Sequence, residues 1–222
     1  MTEQRKSGAS SGQSRISLAG LPWFEREFDF DFGTEAFASI LERLAGAPER
    51  FEVQMGLASE SQLECKVGQS WSPKEHLGHL TVLEPVWRKR FQEIQQGVSV
   101  LSPADLQNRA TDEAHFNTWT RRDLLDRFRD TRHDTIAVLR QIGPLDDATL
   151  AMHPRLKRPM RLVDLMYFVA EHDDHHLAAI EGIVSHHSKP VRLEFYRPQY
   201  ADAFERLNRE WIEERFTLEA MD

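Results

Sequence analysis

Two histidines four residues apart, His172 and His176, lie in the run Val169-Ala170-Glu171-His172-Asp173-Asp174-His175-His176-Leu177. Residues at i and i+4 project side by side from a helix, with Cβ atoms about 5–6 Å apart. Two ring nitrogens at that spacing can converge on one divalent metal at roughly 2.0–2.1 Å each. Leu162, Leu165, Val169, Ile180 and Ile183 share the same stripe, which turns both imidazoles toward a core. A single histidine on an apolar face is ordinarily a hydrogen-bonded core residue. Two of them, joined by a third donor from another helix, read either as a metal site of the catalytic type, with a position left for water or substrate, or as neutral imidazoles bonded to Asp, Thr or each other.

The third donor is expected in Glu75-His76-Leu77-Gly78-His79-Leu80. His79 shares a face with Leu83 and Val86, and His76 with Leu80 and Leu83, so periodicity leaves both open. Gly78 beside them lets another group approach closely. On an ideal helix His175 is rotated about 100° from His176 and points away from the same metal. Asp173 and Asp174 read either as carboxylates that orient a ligand imidazole or as solvated charges, and Glu75 is a further carboxylate near the site. His115, His133, His153, His186 and His187 show no comparable pattern and read as surface residues.

Composition narrows the chemistry. Cys65 is the only cysteine, so an intrachain disulfide and a thiolate zinc cluster are both excluded. A net charge of −8 argues against a phosphate-binding surface, and nucleic acid is not an expected partner. No stretch approaches 18 consecutive apolar residues and the N-terminus lacks the apolar core of a secretory signal. A cytoplasmic protein that does not engage a membrane is therefore expected. The 222 residues, 40% of them hydrophobic, suffice for one main core.

The elements that must position the histidines read as four helices. A first helix is predicted from about Thr34 to Met55, burying Phe37, Ile40, Leu41, Leu44 and Phe51, with Pro48 at a bend or break. Ser72-Pro73-Lys74-Glu75 combines a capping Ser, Pro at the first helical position and Glu at the third. From it Leu77, Leu80, Leu83, Trp87, Phe91 and Ile94 recur at helical spacing to a stop at Gly97, with a kink expected at Pro85. Val98–Trp119 lacks periodicity and reads as a long crossover. Thr120 caps a third helix with Leu124, Phe128, Thr131, Thr135, Val138 and Ile142 inside, ended by Gly143-Pro144. Residues 145–160 read as an acidic turn and then a basic one with Arg155, Lys157 and Arg158, and the fourth helix spans about Leu162–His186. Before them, residues 1–20 are rich in Ser, Gly and Gln and read as a disordered tail. From Leu21 to Phe32 the aromatics Trp23, Phe24, Phe28, Phe30 and Phe32 suit an extended segment laid over the core.

Trp71-Ser72-Pro73-Lys74-Glu75-His76-Leu77-Gly78-His79-Leu80, the intervening Phe116-Asn117 and Glu171-His172-Asp173-Asp174-His175-His176-Leu177 together resemble the DinB-like superfamily of small metal-binding four-helix bundles. Leu41–Arg50 also looks like that family's first helix, and the similarity covers roughly residues 36–187. The resemblance implies an all-α four-helix bundle in which His79, His172 and His176 bind a divalent metal, zinc or nickel, in a homodimer that acts on a small-molecule substrate. Characterised relatives include thiol-dependent S-transferases and a mycothiol-dependent maleylpyruvate isomerase. A thiol S-transferase or hydrolase using a low-molecular-weight thiol or water is accordingly the expected enzyme class. A non-catalytic metal-binding or dimerisation module is the alternative.

A second resemblance lies in Arg192–Tyr200 and Ala203–Ile212, which look like the opening strand and helix of GNAT-type acetyltransferases. The expected organisation is a tail over 1–20, the bundle over 21–190, and a strand-helix extension over 191–222, read as a truncated acetyltransferase start or as a segment that packs on the bundle or a partner. An N-terminal part of a DinB-acetyltransferase fusion is thus a third possibility.

Overall fold

A computed structural model of the chain describes residues 22–187 and 195–215. It divides into one unit ending at His187 and a second beginning at Ser188. The expected disordered tail, residues 1–20, lies outside the described residues.

The first unit is a helical bundle. The predicted first helix is two: α1 (Phe37–Ala45) and α2 (Ala47–Gly56), separated at Gly46, with Pro48 in the first turn of α2. Proline is tolerated there because the first-turn N–H groups have no intrahelical acceptor. A single turn, α3 (Glu60–Leu63), follows under a Ser59 capping box. The next helix, α4 (Pro73–Gln95), starts as the sequence requires. The Ser72 hydroxyl accepts the Glu75 N–H while the Glu75 carboxylate accepts the Ser72 N–H, and the helix runs through Pro85. In the crossover lie α5 (Arg109–Glu113) and a 3-10 turn at Phe116–Thr118. Then comes α6 (Arg121–Ile142), capped by Thr120 and ended by Gly143, whose φ of 69° only glycine adopts readily.

Where a turn pair was expected, residues 145–160 form a two-stranded antiparallel hairpin, β1 (Ala151–His153) with β2 (Arg158–Met160). A parallel bridge between Val100 and Met152 ties the crossover to it. The last long helix of the unit is α7 (Leu162–His187).

Helix α1 packs on α6 and α7, and α4 packs on the same two. The apolar core falls into two clusters. One gathers Leu44, Leu83, Trp87, Phe91, Leu139, Leu165 and Val169; the other gathers Phe51, Leu77, Leu80, Leu124, Phe128 and Ile180. Between them, at the middle of α4, α6 and α7, the buried residues are polar: His79, Glu84, Arg132, Thr135, His172, Asp173 and His176. The predicted aromatic segment lies over the first cluster, with Phe28 against Phe168 and both Phe30 and Phe32 against Tyr167. Arg158 and Arg161 hold its carbonyls by donating to Phe28, Phe30 and Phe32.

In the second unit α8 (Ala201–Arg215) follows a 3-10 turn at Pro198–Tyr200. Residues 191–194, where the expected strand begins, lie outside the described residues, and its end at Pro198–Tyr200 is the 3-10 turn. No helix among the described residues is long and apolar enough to cross a membrane.

Candidate metal centre

His172 and His176 stand one turn apart on α7 and are 4% exposed, and His79, on the facing side of α4, is 5% exposed. One nitrogen from each of these three rings falls within 4.8 Å of the others. Nε2 of His172 and Nε2 of His176 are 3.1 Å apart. Two donors on a tetrahedral ion with bonds of about 2.0–2.1 Å would be roughly 3.3 Å apart, so the pair is already close to a chelating separation.

Each ring has a reason for its orientation. Nδ1 of His79 lies 3.1 Å from the Thr111 hydroxyl on α5. If Nδ1 carries the hydrogen and donates, the Nε2 lone pair is left for the cluster. Nδ1 of His176 lies 2.8 Å from Nδ1 of His76. The same logic has His176 donate to His76, which keeps its own hydrogen on Nε2. His76 is therefore a partner of His176 and not a member of the triad, which separates the two α4 histidines that periodicity leaves open. Nδ1 of His172 is buried with no hydrogen-bond partner among the described residues. Trp71 closes over His79 at 4.6 Å between ring centroids, and its indole N–H is fixed by Asp112. Trp23 covers His172 at 4.8 Å.

Burial sets the protonation states. It pushes His79 down to about 3 and His76 down to about 4, and takes His172 and His176 well below the ordinary imidazole value, neighbouring histidines adding to each shift. Neutral imidazoles are the ligand form. Three neutral nitrogen donors on facing helices fit a divalent metal ion.

Gly78 is in place for the reason the sequence suggests. A Cβ there would come within 2.2 Å of the Phe116 ring, so the helix carries glycine where the crossover presses against it. Ser72 donates to Asn117 in the same crossover.

The carboxylates differ from expectation. Asp173 does not reach an imidazole and is not solvated; it is fully buried in a two-point pair with Arg132 at 2.6 and 3.0 Å. Asp174 pairs with Arg43 and Arg50, and Glu75 is used by the cap and by Lys66. His175 stays outside the triad as expected, with Nδ1 3.1 Å from Arg26 Nη2. His153, expected at the surface, is 2% exposed, because the hairpin folds it onto Phe168 and Arg90. His115 and His133 are exposed, and the side chains of His186 and His187 lie outside the described residues.

A cavity of about 150 Å³ opens beside the triad, lined by His79, His172, His175 and His176 together with Arg90, Arg155, Trp23 and Phe168. Thr111, Arg90, His153 and Arg155 were not singled out by sequence pattern as site residues, and His76, a candidate for the third donor, stands behind His176 instead. A contact such as Thr111 with His79 spans a crossover without periodicity.

A family model of the DinB superfamily matches residues 36–180. No curated protein matches the chain. Among solved structures the fold resembles YfiT from Bacillus subtilis, described as a probable metal-dependent hydrolase with an unusual four-helix bundle topology. The TM-score is 0.62 over 73% of this chain and 93% of that one, at 19% identity.

Proposed function

The chain belongs to the DinB superfamily, and from that premise we propose that it is a divalent-metal-dependent enzyme acting on a small molecule, a hydrolase in the first instance. The observation that carries the proposal is the convergence of three buried imidazoles on a cavity that admits a small molecule. His79, His172 and His176 hold the metal, zinc or nickel. Thr111 and His76 fix the rings of His79 and His176 from behind. A bound metal supplies Lewis acidity, which draws the pKa of water toward neutrality and polarises a substrate carbonyl. Trp71 and Trp23 limit access of bulk water to the triad. His175 lines the cavity; Arg26 donates to its Nδ1, which puts the ring hydrogen on Nε2 and makes this ring a hydrogen-bond donor to substrate. The description of YfiT as a probable hydrolase agrees with this reading.

Thiol S-transfer is the second reading. Cys65 does not line the cavity, so the thiol would arrive as a low-molecular-weight co-substrate, activated as thiolate by the same ion.

The test is metal content by plasma mass spectrometry on the untagged full chain, beside the His79→Ala, His172→Ala, His176→Ala triple variant. About one divalent ion per chain, lost in the variant while helix content persists, is the expected result. The loaded protein is then assayed against ester, amide and thiol-plus-electrophile panels. No metal after anaerobic reconstitution, or equal metal in the variant, overturns the proposal in favour of a non-catalytic module.

A further inference from the structure

Two arginines, Arg155 and Arg90, line the same cavity as the histidines. Arg155, on the turn of the β1–β2 hairpin, is partly buried among three rings, its guanidinium carbon 5.6 Å from the centre of Trp23, 5.2 Å from Phe24 and 5.4 Å from Phe168. It makes no hydrogen bond and no ion pair among the described residues, and its Nη2 is a buried donor without a partner. Arg90, on α4 and 2% exposed, stands behind it. Its Nε donates to the Ser102 carbonyl at 2.8 Å, and its Nη1 faces His153 Nε2 at 3.2 Å. The Leu156 N–H already donates to His153 Nδ1. The neutral ring therefore carries its hydrogen on Nε2 and cannot accept from Arg90. The Trp87 indole N–H, lining the same cavity, is buried and unpartnered as well.

Two carboxylates in this part of the molecule, Asp105 of the cavity lining and Glu93, form no ion pair with either arginine. Asp105, at the exposed rim, accepts the N–H groups of Gln107 and Arg109, and Glu93 accepts from Ser102. Arg155 and Arg90 thus face one cavity with no carboxylate paired to either. A partly buried guanidinium without a counter-charge is costly, and such donors recur where a ligand supplies the acceptor.

We propose that this cavity is a subsite for a small organic carboxylate, its carboxylate held by Arg155 with Arg90 behind it, and its body laid against Trp23, Phe168 and Leu83 toward the three histidines. A guanidinium fork matches a carboxylate. The aromatic walls suit an apolar body, and a void of about 150 Å³ accommodates a benzene-sized group. A doubly charged phosphate fits less well, because Arg155 alone offers an uncommitted fork. The subsite deepens the enzymatic reading, on which its role rests, by naming the substrate class.

The experiment titrates benzoate and its neutral isostere benzamide into the full chain, metal-stripped and zinc-loaded, followed by heat and by tryptophan fluorescence. Benzoate is expected to bind about 10- to 100-fold more tightly than benzamide in both states, as loss of a charged hydrogen bond predicts. Arg155→Met is expected to erase the preference while leaving benzamide binding and zinc content in place, and Arg155→Lys to retain part of it. Equal affinities, or a preference that survives Arg155→Met, overturn the subsite. So does a preference seen only with zinc, which would send the carboxylate to the metal. Failure to bind zinc with the preference intact would instead sink the metal reading alone.

Discussion

Two polar regions sit side by side in the middle of the bundle, on the same helices, and they are built on opposite plans. In one, Arg132 of α6 donates to Glu84 of α4, to Asp173 of α7 and to the Leu44 carbonyl of α1, while the Thr135 hydroxyl donates to the second oxygen of Glu84. Burial disfavours charge on Arg132, but the two carboxylates outweigh it and hold the guanidinium firmly protonated. Every charged group there answers another, and four helices are stapled together. The other region begins one residue away, at His172, and leaves His172 Nδ1, Trp87 Nε1 and Arg155 Nη2 buried without partners among the described residues. A network that satisfies itself fixes the fold; one that does not is waiting for a ligand.

The contrast is most easily broken at Arg132. Replacing it with Met leaves two buried carboxylates facing each other and is expected to cost about 3–5 kcal/mol, read from urea denaturation. Thr135→Val, which withdraws one donor from Glu84, is expected to cost about 1–3 kcal/mol. Near-wild-type stability of both would mean that the network does not staple the helices.

Gly78→Ala probes how the histidine region is seated. With the Phe116 ring 2.2 Å from the added methyl, either the ring or α4 must move, and overpacking of this kind costs about 1–3 kcal/mol. Because His76 and His79 flank the position, weakened zinc binding is expected alongside the lower denaturation midpoint. An unperturbed midpoint would show that the crossover does not brace the site.

Proton linkage separates the two regions by pH. His79 and His153 are held down to about 3, and His76 and His175 to about 4, all chiefly by burial. The unfolded chain takes up these protons near 6.5, the folded chain only near 3–4. Between those limits the unfolded state binds more protons, so stability of the metal-free protein falls as pH drops from about 6.5 toward 4 and is flat above. The ligand imidazoles of the folded protein stay neutral over this range, so its zinc affinity is expected to hold there and to fall only as the pH approaches their lowered values. Melting temperatures from pH 4 to 8 check this: the triple histidine-to-alanine variant should reduce the slope, the part owed to His76, His153 and His175 remaining, and Thr135→Val should leave it unchanged.

How much of this was legible in the sequence follows the same division. The capping box at Ser72, the α7 stripe and the close approach at Gly78 are local or periodic features, and the structure shows them as read. The choice between His76 and His79 is not periodic: both are buried and both approach His176, and only the direction of their nitrogens separates them. The Arg132 network was missed because charged residues on a helix read as its wet face, although Arg132 stands four residues after buried Phe128 and three before Thr135, on the inner stripe. His153 and Arg155 belong to a hairpin with strands of three residues, too short for any pattern to show, and their burial comes from tertiary closure onto Phe168.

The smallest expected effect is the sharpest test of the contrast. Trp87 is 4% exposed and its indole N–H has no acceptor among the described residues. Trp87→Phe removes that N–H, and with it a desolvation penalty of about 1–3 kcal/mol. It also gives up part of the ring surface that meets Phe168, His172 and the Arg90 guanidinium, and the lost packing is of similar size and opposite sign. The two terms nearly cancel, so the change should stay within about 1 kcal/mol of wild type, less than for Thr135→Val although far more atoms are removed. Loss of more than about 2 kcal/mol in urea denaturation would mean that the indole N–H is already answered in the folded protein, and the two regions would then differ in composition but not in plan.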